Sequence, residues 1–203
     1  MKVIGLTGGV GMGKSTTDRF LRERNIPVVD TDLLAREIVE PGQEALGEVR
    51  RVFGDSVIGP DGRLKRGELA RRVFADSTAR EQLEAILHPR IRALWQTEIQ
   101  TQRAKGKELA VVVIPLLFET SAENSFDKII CVACTTATQT ARLHARGWTS
   151  EQVRQRIAAQ WPIEQKMAGA DFVIWTEGDL EAHAQQLDRI LAGVAAFART
   201  VPT

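Results

Sequence analysis

Gly8-Gly9-Val10-Gly11-Met12-Gly13-Lys14-Ser15 has the spacing G-x-x-x-x-G-K-S. It concentrates backbone N–H donors, one ammonium and one hydroxyl on a short loop, and that set suits a polyphosphate. The glycines let the backbone close around phosphate oxygens with no Cβ in the way. Lys14 can reach the terminal phosphates, and the Ser15 hydroxyl is the usual ligand of the accompanying Mg²⁺. A helix starting near Gly13 would turn its positive end toward the anion. Gly11, Met12, Gly13, Lys14, Ser15 and Thr16 are therefore the expected contacts of a bound nucleoside triphosphate.

Such a loop works only between a strand and a helix, and its flanks supply both. Lys2–Thr7 is an apolar run fit for a buried strand, and Ser15–Glu23 reads as a helix stopped by Asn25-Ile26-Pro27. Further strands are expected at Pro27–Asp30, at the β-branched run Leu109–Ile114, at Lys128–Cys134 and at Asp171–Trp175. Leu187, Ile190, Leu191 and Val194 fall at i, i+3, i+4 and i+7, the apolar stripe of a closing helix. Strands alternating with helices predict a three-layer α/β fold on a five-stranded parallel sheet. Between Asp32 and Leu109 there are only helical patterns: about Leu33–Val39, Glu68–Phe74, and Thr78–Arg103 interrupted at His88-Pro89. This helical insert is long enough to hold a second substrate.

Asp30 and Asp32 follow the second strand, where ligand sites of doubly wound sheets lie. Asp32 can accept the proton of an attacking hydroxyl there, and it can also cap the next helix. Arg36, one turn on, is either a ligand for an anionic acceptor or an ordinary surface arginine. Arg142 and Arg146 share a helical spacing after the fourth strand, as a phosphate-covering lid would need or as any solvated helix face would show. His88 with Arg90 and Arg92 is open to two readings, a packed helix-break residue or a contact for acceptor phosphates. Cys131 and Cys134 form a C-x-x-C with no second pair to complete a zinc site, and read as small buried apolar residues.

At 203 residues and a net charge of +1 there is no global field to recruit nucleic acid or an anionic membrane. No apolar run reaches membrane-spanning length, and the strand and loop at the N-terminus leave no room for a signal peptide. A cytoplasmic protein, monomeric or a small homo-oligomer, is expected.

Taken in order, these residues resemble the dephospho-coenzyme A kinase family. The likeness runs through Gly5–Thr16, Val29-Asp30-Thr31-Asp32-Leu33-Leu34-Ala35-Arg36, Arg71-Arg72-Val73-Phe74 and Leu87-His88-Pro89-Arg90-Ile91-Arg92. It continues through Pro115-Leu116-Leu117-Phe118-Glu119, Arg142, Arg146, Ala158-Ala159-Gln160 and Ala170–Ile174. The resemblance implies one P-loop kinase domain in three parts: a nucleotide-binding core (1–32, 108–140 and 170–203), a helical coenzyme-A-binding insert (33–107) and a lid (141–169). It implies transfer of the γ-phosphoryl group of Mg-ATP to the ribose 3′-hydroxyl of dephospho-coenzyme A. Asp32 would be the general base, Lys14 and Arg142 would neutralise phosphate charge, and Arg146 would join them on ATP. Ser15 would ligate Mg²⁺, and Arg36, His88, Arg92, Leu116 and Leu117 would line the acceptor site with Asp32.

The chain departs from the family pattern at three places. Thr176 stands where V-I-x-N-x-G has Asn, and is expected to take over any hold of that Asn on adenine. Lys65 replaces an Asp in Leu64-Lys65-Arg66, and Gly147 replaces the acidic residue common after Arg146. Two other classes stay open on the residues alone: a shikimate- or nucleoside-type kinase, and a nucleotide switch that transfers no phosphate.

Overall fold

The computed structural model describes residues 1–199, and their side chains except those of Phe74 and 195–199. Residues 200–203 of the expected core segment, and the Phe74 side chain of the Arg71–Phe74 motif, lie outside the described residues.

The five expected strands form one parallel sheet: β1 (Lys2–Gly8), β2 (Val28–Asp30), β3 (Leu109–Val113), β4 (Lys128–Ala133) and β5 (Phe172–Trp175), in the order β2-β3-β1-β4-β5. β1 pairs Val3 with Ala110 on one side and Gly8 with Val132 on the other. The order reverses at β1, so the loop that leaves its carboxyl end opens at the sheet's switch point. Ile4, Leu6, Val111, Val113, Ile130, Val132 and Ile174 form one apolar face of the sheet. Phe20 and Leu21 of α1 (Lys14–Glu23) and Leu187, Ile190 and Val194 of the last helix, Leu180–Arg199, cover it. β1, β3 and β4 are buried on both faces, which explains their unbroken apolar runs, while β5 leaves Val173 and Trp175 exposed.

The chain divides into two compact units, residues 1–29 with 102–203, and residues 30–101. The second has a core of its own. It contains α2 (Thr31–Glu37), α3 (Glu44–Phe53), a 3-10 turn at Asp55–Val57, α4 (Arg66–Ala75) and most of α5 (Ser77–Ala104). Leu46, Val49 and Phe53 recur along one face of α3 and meet Val57, Leu69 and Ile86.

One expectation fails here. α5 runs through His88-Pro89 without a break. A proline removes its own N–H and crowds the carbonyl four residues back, which also loosens the next bond of the ladder. The acceptor left without a backbone donor is the Ala85 carbonyl; beside it, the Arg90 guanidinium donates to the Ile86 carbonyl at 2.7 Å and is held by Glu48 at 2.9 Å. Glu48 thus ties α5 to α3 directly beside the proline.

In the first unit, α6 (Thr136–Ala145), α7 (Ser150–Ala158) and α8 (Ile163–Gly169) follow β4, and α9 (Leu180–Arg199) follows β5. Thr149 caps α7 with a full capping box, Gln152 answering its backbone N–H.

Candidate functional site

The phosphate loop is built by steric necessity. At Gly8, φ is +144°, and a Cβ there would stand 2.2 Å from the Val132 carbonyl oxygen of the neighbouring strand. Gly13 starts α1 in the left-handed region, at φ 108°, and no side chain caps the first turn. The α1 dipole thus faces the loop with no carboxylate to neutralise it. Lys14 folds back and donates to the Gly8 and Gly9 carbonyls at 2.7 and 2.9 Å, next to where phosphates would sit. Ser15 is exposed, Thr16 half-buried and Met12 buried.

Two amide side chains hold the loop's crest. The Val10 N–H donates to Gln160 Oε1 at 2.9 Å, and the Val10 carbonyl accepts from Gln139 Nε2 at 2.8 Å. Gln139 is a buried residue of α6, and Gln160 lies between α7 and α8. Sequence reasoning gave Gln139 no role and met Gln160 only inside a motif, because a glutamine on a polar helix carries no periodic signal.

Thr176, the first residue after β5, is buried and committed to the loop. Its hydroxyl donates to the Met12 carbonyl at 3.0 Å and accepts from Arg142 Nη1 at 2.8 Å. Arg142 Nη2 donates to the Thr176 carbonyl at 2.5 Å. With its one proton used on Met12, this hydroxyl has no donor left for a base edge. Glu177 ties the same segment to the start of α6, accepting from Thr135 N and Thr138 Oγ1; hydrogen bonding from the Thr135 side chain, then from its backbone N–H and the Thr138 hydroxyl, lowers its carboxyl pKa. Arg142 is thus drawn onto Thr176, whereas Arg146 closes α6 as its last-turn cap and is exposed.

The segment after β3 divides its expected residues. Leu116 is half-buried, while Leu117 is wholly buried and packs over Gly5, where a Cβ would come within 2.7 Å of it. Leu117 therefore supports this segment from the core. Beneath it, Lys166 is fully buried, paired with Glu119 Oε1 at 2.7 Å and donating to the Pro115 carbonyl at 2.8 Å. The same Glu119 oxygen accepts from the Trp161 N–H at 2.8 Å. No sequence signal marked Lys166, because a buried lysine looks like any exposed one in a polar helix.

In the 30–101 unit, Asp30 caps α2, its side chain accepting from Asp32 N at 2.8 Å. Capping thus falls to Asp30, and Asp32 is an exposed carboxylate in the first turn. Arg36 is exposed one turn further on. His88 is half-buried on α5, and burial lowers its pKa. Arg92 follows it by one turn and is exposed.

Among the described residues there is no group of three or more His, Cys, Asp or Glu side chains able to hold a metal. A single hydroxyl at the loop suits Mg²⁺, which keeps several waters and takes most other ligands from substrate phosphates. Cys131 and Cys134 are both buried and unpaired with each other, and burial pushes the Cys131 thiol up to about 11. No helix among the described residues is long and apolar enough to cross a membrane.

A family model described as dephospho-CoA kinase matches residues 2–182. The chain is 47% identical to the dephospho-CoA kinase of Anaeromyxobacter dehalogenans, covering 95% of this chain and 92% of that one. It is 43% identical to that of Bdellovibrio bacteriovorus, over 94% and 95% of the two chains. The crystal structure of TT1252 from Thermus thermophilus superposes with a TM-score of 0.81 at 37% identity, covering 96% of each chain.

Proposed function

The chain belongs to the dephospho-CoA kinase family, and from that premise we propose that it transfers the γ-phosphoryl group of Mg-ATP to the ribose 3′-hydroxyl of dephospho-coenzyme A. The observation that carries this reading is near-full-length similarity to two dephospho-CoA kinases in a chain that also forms the phosphate loop on an α/β kinase fold. Its length covers these relatives almost completely.

In this proposal the uncapped start of α1 and the N–H groups of Gly11 to Thr16 bind the phosphates. Lys14 leaves the Gly8 and Gly9 carbonyls for the terminal phosphate oxygens, a short displacement of an ammonium already at the loop. Arg142 and Arg146 supply further positive charge from α6, where charge spreads over the transferring oxygens. Asp32, relieved of capping by Asp30, takes the proton of the acceptor hydroxyl. Arg36, His88, Arg92 and Leu116 receive the acceptor. Ser15 would hold Mg²⁺, which when bound would neutralise phosphate charge. Residues 33–107 form the acceptor-binding part and 141–169 the lid, and the enzyme works in the cytoplasm.

The test is a coupled ADP-release assay with Mg-ATP, with and without dephospho-coenzyme A, the product identified by mass. ADP release that depends on the acceptor, adds one phosphate and stops on chelation is expected. Equal release without acceptor would make the chain an ATPase or switch, and phosphorylation of shikimate or nucleosides instead would assign another acceptor.

A further inference from the structure

Val10 has a glycine on each side, so ψ of Gly9 and φ of Gly11, which set the outer ends of the two peptide planes it joins, carry no Cβ restraint. Both planes are nevertheless fixed, each by a different side-chain amide. A trans peptide points its N–H and C=O in opposite directions. In the Gly9–Val10 peptide the N–H is held by Gln160 Oε1, which turns the Gly9 carbonyl the other way, where it accepts from Lys14 Nζ at 2.9 Å and from Met12 N at 3.2 Å. In the Val10–Gly11 peptide the carbonyl is held by Gln139, which turns the Gly11 N–H away from α6. A flip of the Val10–Gly11 plane would point a carbonyl dipole where the Gly11 N–H now stands, and a flip of the Gly9–Val10 plane would take the Gly9 carbonyl away from Lys14 and Met12.

Gln160 is itself held firmly from behind. Its neighbour Trp161 donates its backbone N–H to Glu119, whose carboxylate is fixed by buried Lys166. The Trp161 ring stacks on Phe118 with centroids 6.2 Å apart and planes 11° from parallel. The connection between α7 and α8 therefore forms a rigid bracket with one amide oxygen directed at the loop.

We propose that Gln160 is a positioning residue for phosphoryl transfer: through the Gly9–Val10 peptide it sets the carbonyl that keeps the Lys14 ammonium at the loop until the phosphate oxygens take it over, and Gln139 orients the Gly11 N–H through the Val10–Gly11 peptide. This rests on the reading of the loop as the Mg-ATP site. Neither glutamine touches the reacting atoms, and both act by excluding the flipped loop.

Gln160→Met keeps the length of the side chain and removes the acceptor, while Gln160→Glu keeps an acceptor oxygen. The Met variant is expected to lower kcat about tenfold, with the KM for dephospho-coenzyme A within about twofold of wild type. Its melting temperature should stay within a few degrees of wild type. The amide proton resonance of Val10 should move upfield in the Met variant and return toward its original position in the Glu variant, with kcat rising above that of the Met variant. A Met variant with wild-type kcat and an unmoved Val10 resonance would overturn the proposal. So would a kcat loss that follows the melting temperature while the resonance stays in place. Wild-type ADP release indifferent to the acceptor would overturn the functional reading instead, leaving the Val10 resonance and its response to Mg-ATP as a separate reading of the bracket.

Discussion

Arg142 grips Thr176 at both of its oxygens, Nη1 on the hydroxyl at 2.8 Å and Nη2 on the carbonyl at 2.5 Å, while that hydroxyl donates to the Met12 carbonyl. One threonine therefore joins the exit of β5, a cation of α6 and the phosphate loop. Thr176→Val keeps the shape and leaves the buried Met12 carbonyl and one Arg142 donor without their partner. The expected result is a three- to tenfold rise in the KM for ATP and a loss of about 1–3 kcal/mol in stability, while Thr176→Ser keeps both. Steady-state kinetics and urea unfolding read the two. A Thr176→Val enzyme with unaltered KM for ATP would show that the grip serves folding alone.

The geometry of Asp30 and Asp32 separates two duties that adjacent carboxylates often share. Asp30 accepts the Asp32 N–H as the cap of α2, so Asp32→Asn should leave the helix start intact. In the proposed reaction it removes the base, and kcat should fall by about two to four orders of magnitude. Affinity for Mg-ATP, measured by calorimetry, should stay within about twofold, since the phosphate loop is untouched. Turnover equal to wild type would take Asp32 out of the reaction.

How much could be read in advance depended on whether a residue announced itself by local spacing. The five strands and the phosphate loop are local patterns, and all five strands lie within a residue or so of their expected bounds. The continuity of α5 through Pro89 was not legible, because local sequence marks a proline as a break while the contact of Arg90 with Glu48 of another helix leaves no trace in spacing. Leu117 and Leu116 are identical in sequence terms, and only packing over Gly5 distinguishes the buried one from the half-buried one. Thr176 was singled out because it departs from a family pattern, yet its hydrogen bonds go to the loop and to Arg142. Gln139, Gln160 and Lys166 act on residues far away in the chain, and such contacts leave no mark on periodicity or composition.

Lys166 and Glu119 form the one ion pair among the described residues whose ammonium is fully buried. Glu119 Oε2 is also buried, with no hydrogen-bond partner among the described residues. Removing either charge leaves the other uncompensated. Lys166→Met and Glu119→Gln are each expected to cost about 3–5 kcal/mol, and the double variant less than their sum. Denaturant unfolding of the four proteins checks this. Additive losses would mean that the two side chains do not depend on one another.

Acid should weaken the fold first through His183. Its Nε2 lies 2.9 Å from the buried Thr17 hydroxyl, and its ring meets Phe20 edge-on at 5.3 Å, so α9 is joined to α1 by a histidine. Burial and then the Arg142 charge lower its pKa below the ordinary 6.5. His88 is shifted in the same direction, chiefly by burial. Below 6.5 the unfolded chain takes up protons that the folded chain still refuses, so stability is complete above 6.5 and falls as pH drops toward the folded-state values. Asp127 and Asp171 act in a separate, lower window: hydrogen bonds and lysine partners depress them below 3.8, and their contribution is lost only as pH falls from there. Unfolding free energy measured by urea should therefore decline between pH 7 and pH 5, above the ordinary values of 4.5 and 3.8 from which the depressed carboxyls, Glu177 among them, begin to contribute. His183→Gln places an uncharged amide near the Thr17 hydroxyl and should flatten that decline, leaving the part due to His88. An equally steep decline in the variant would place the linkage elsewhere and remove His183 as its source.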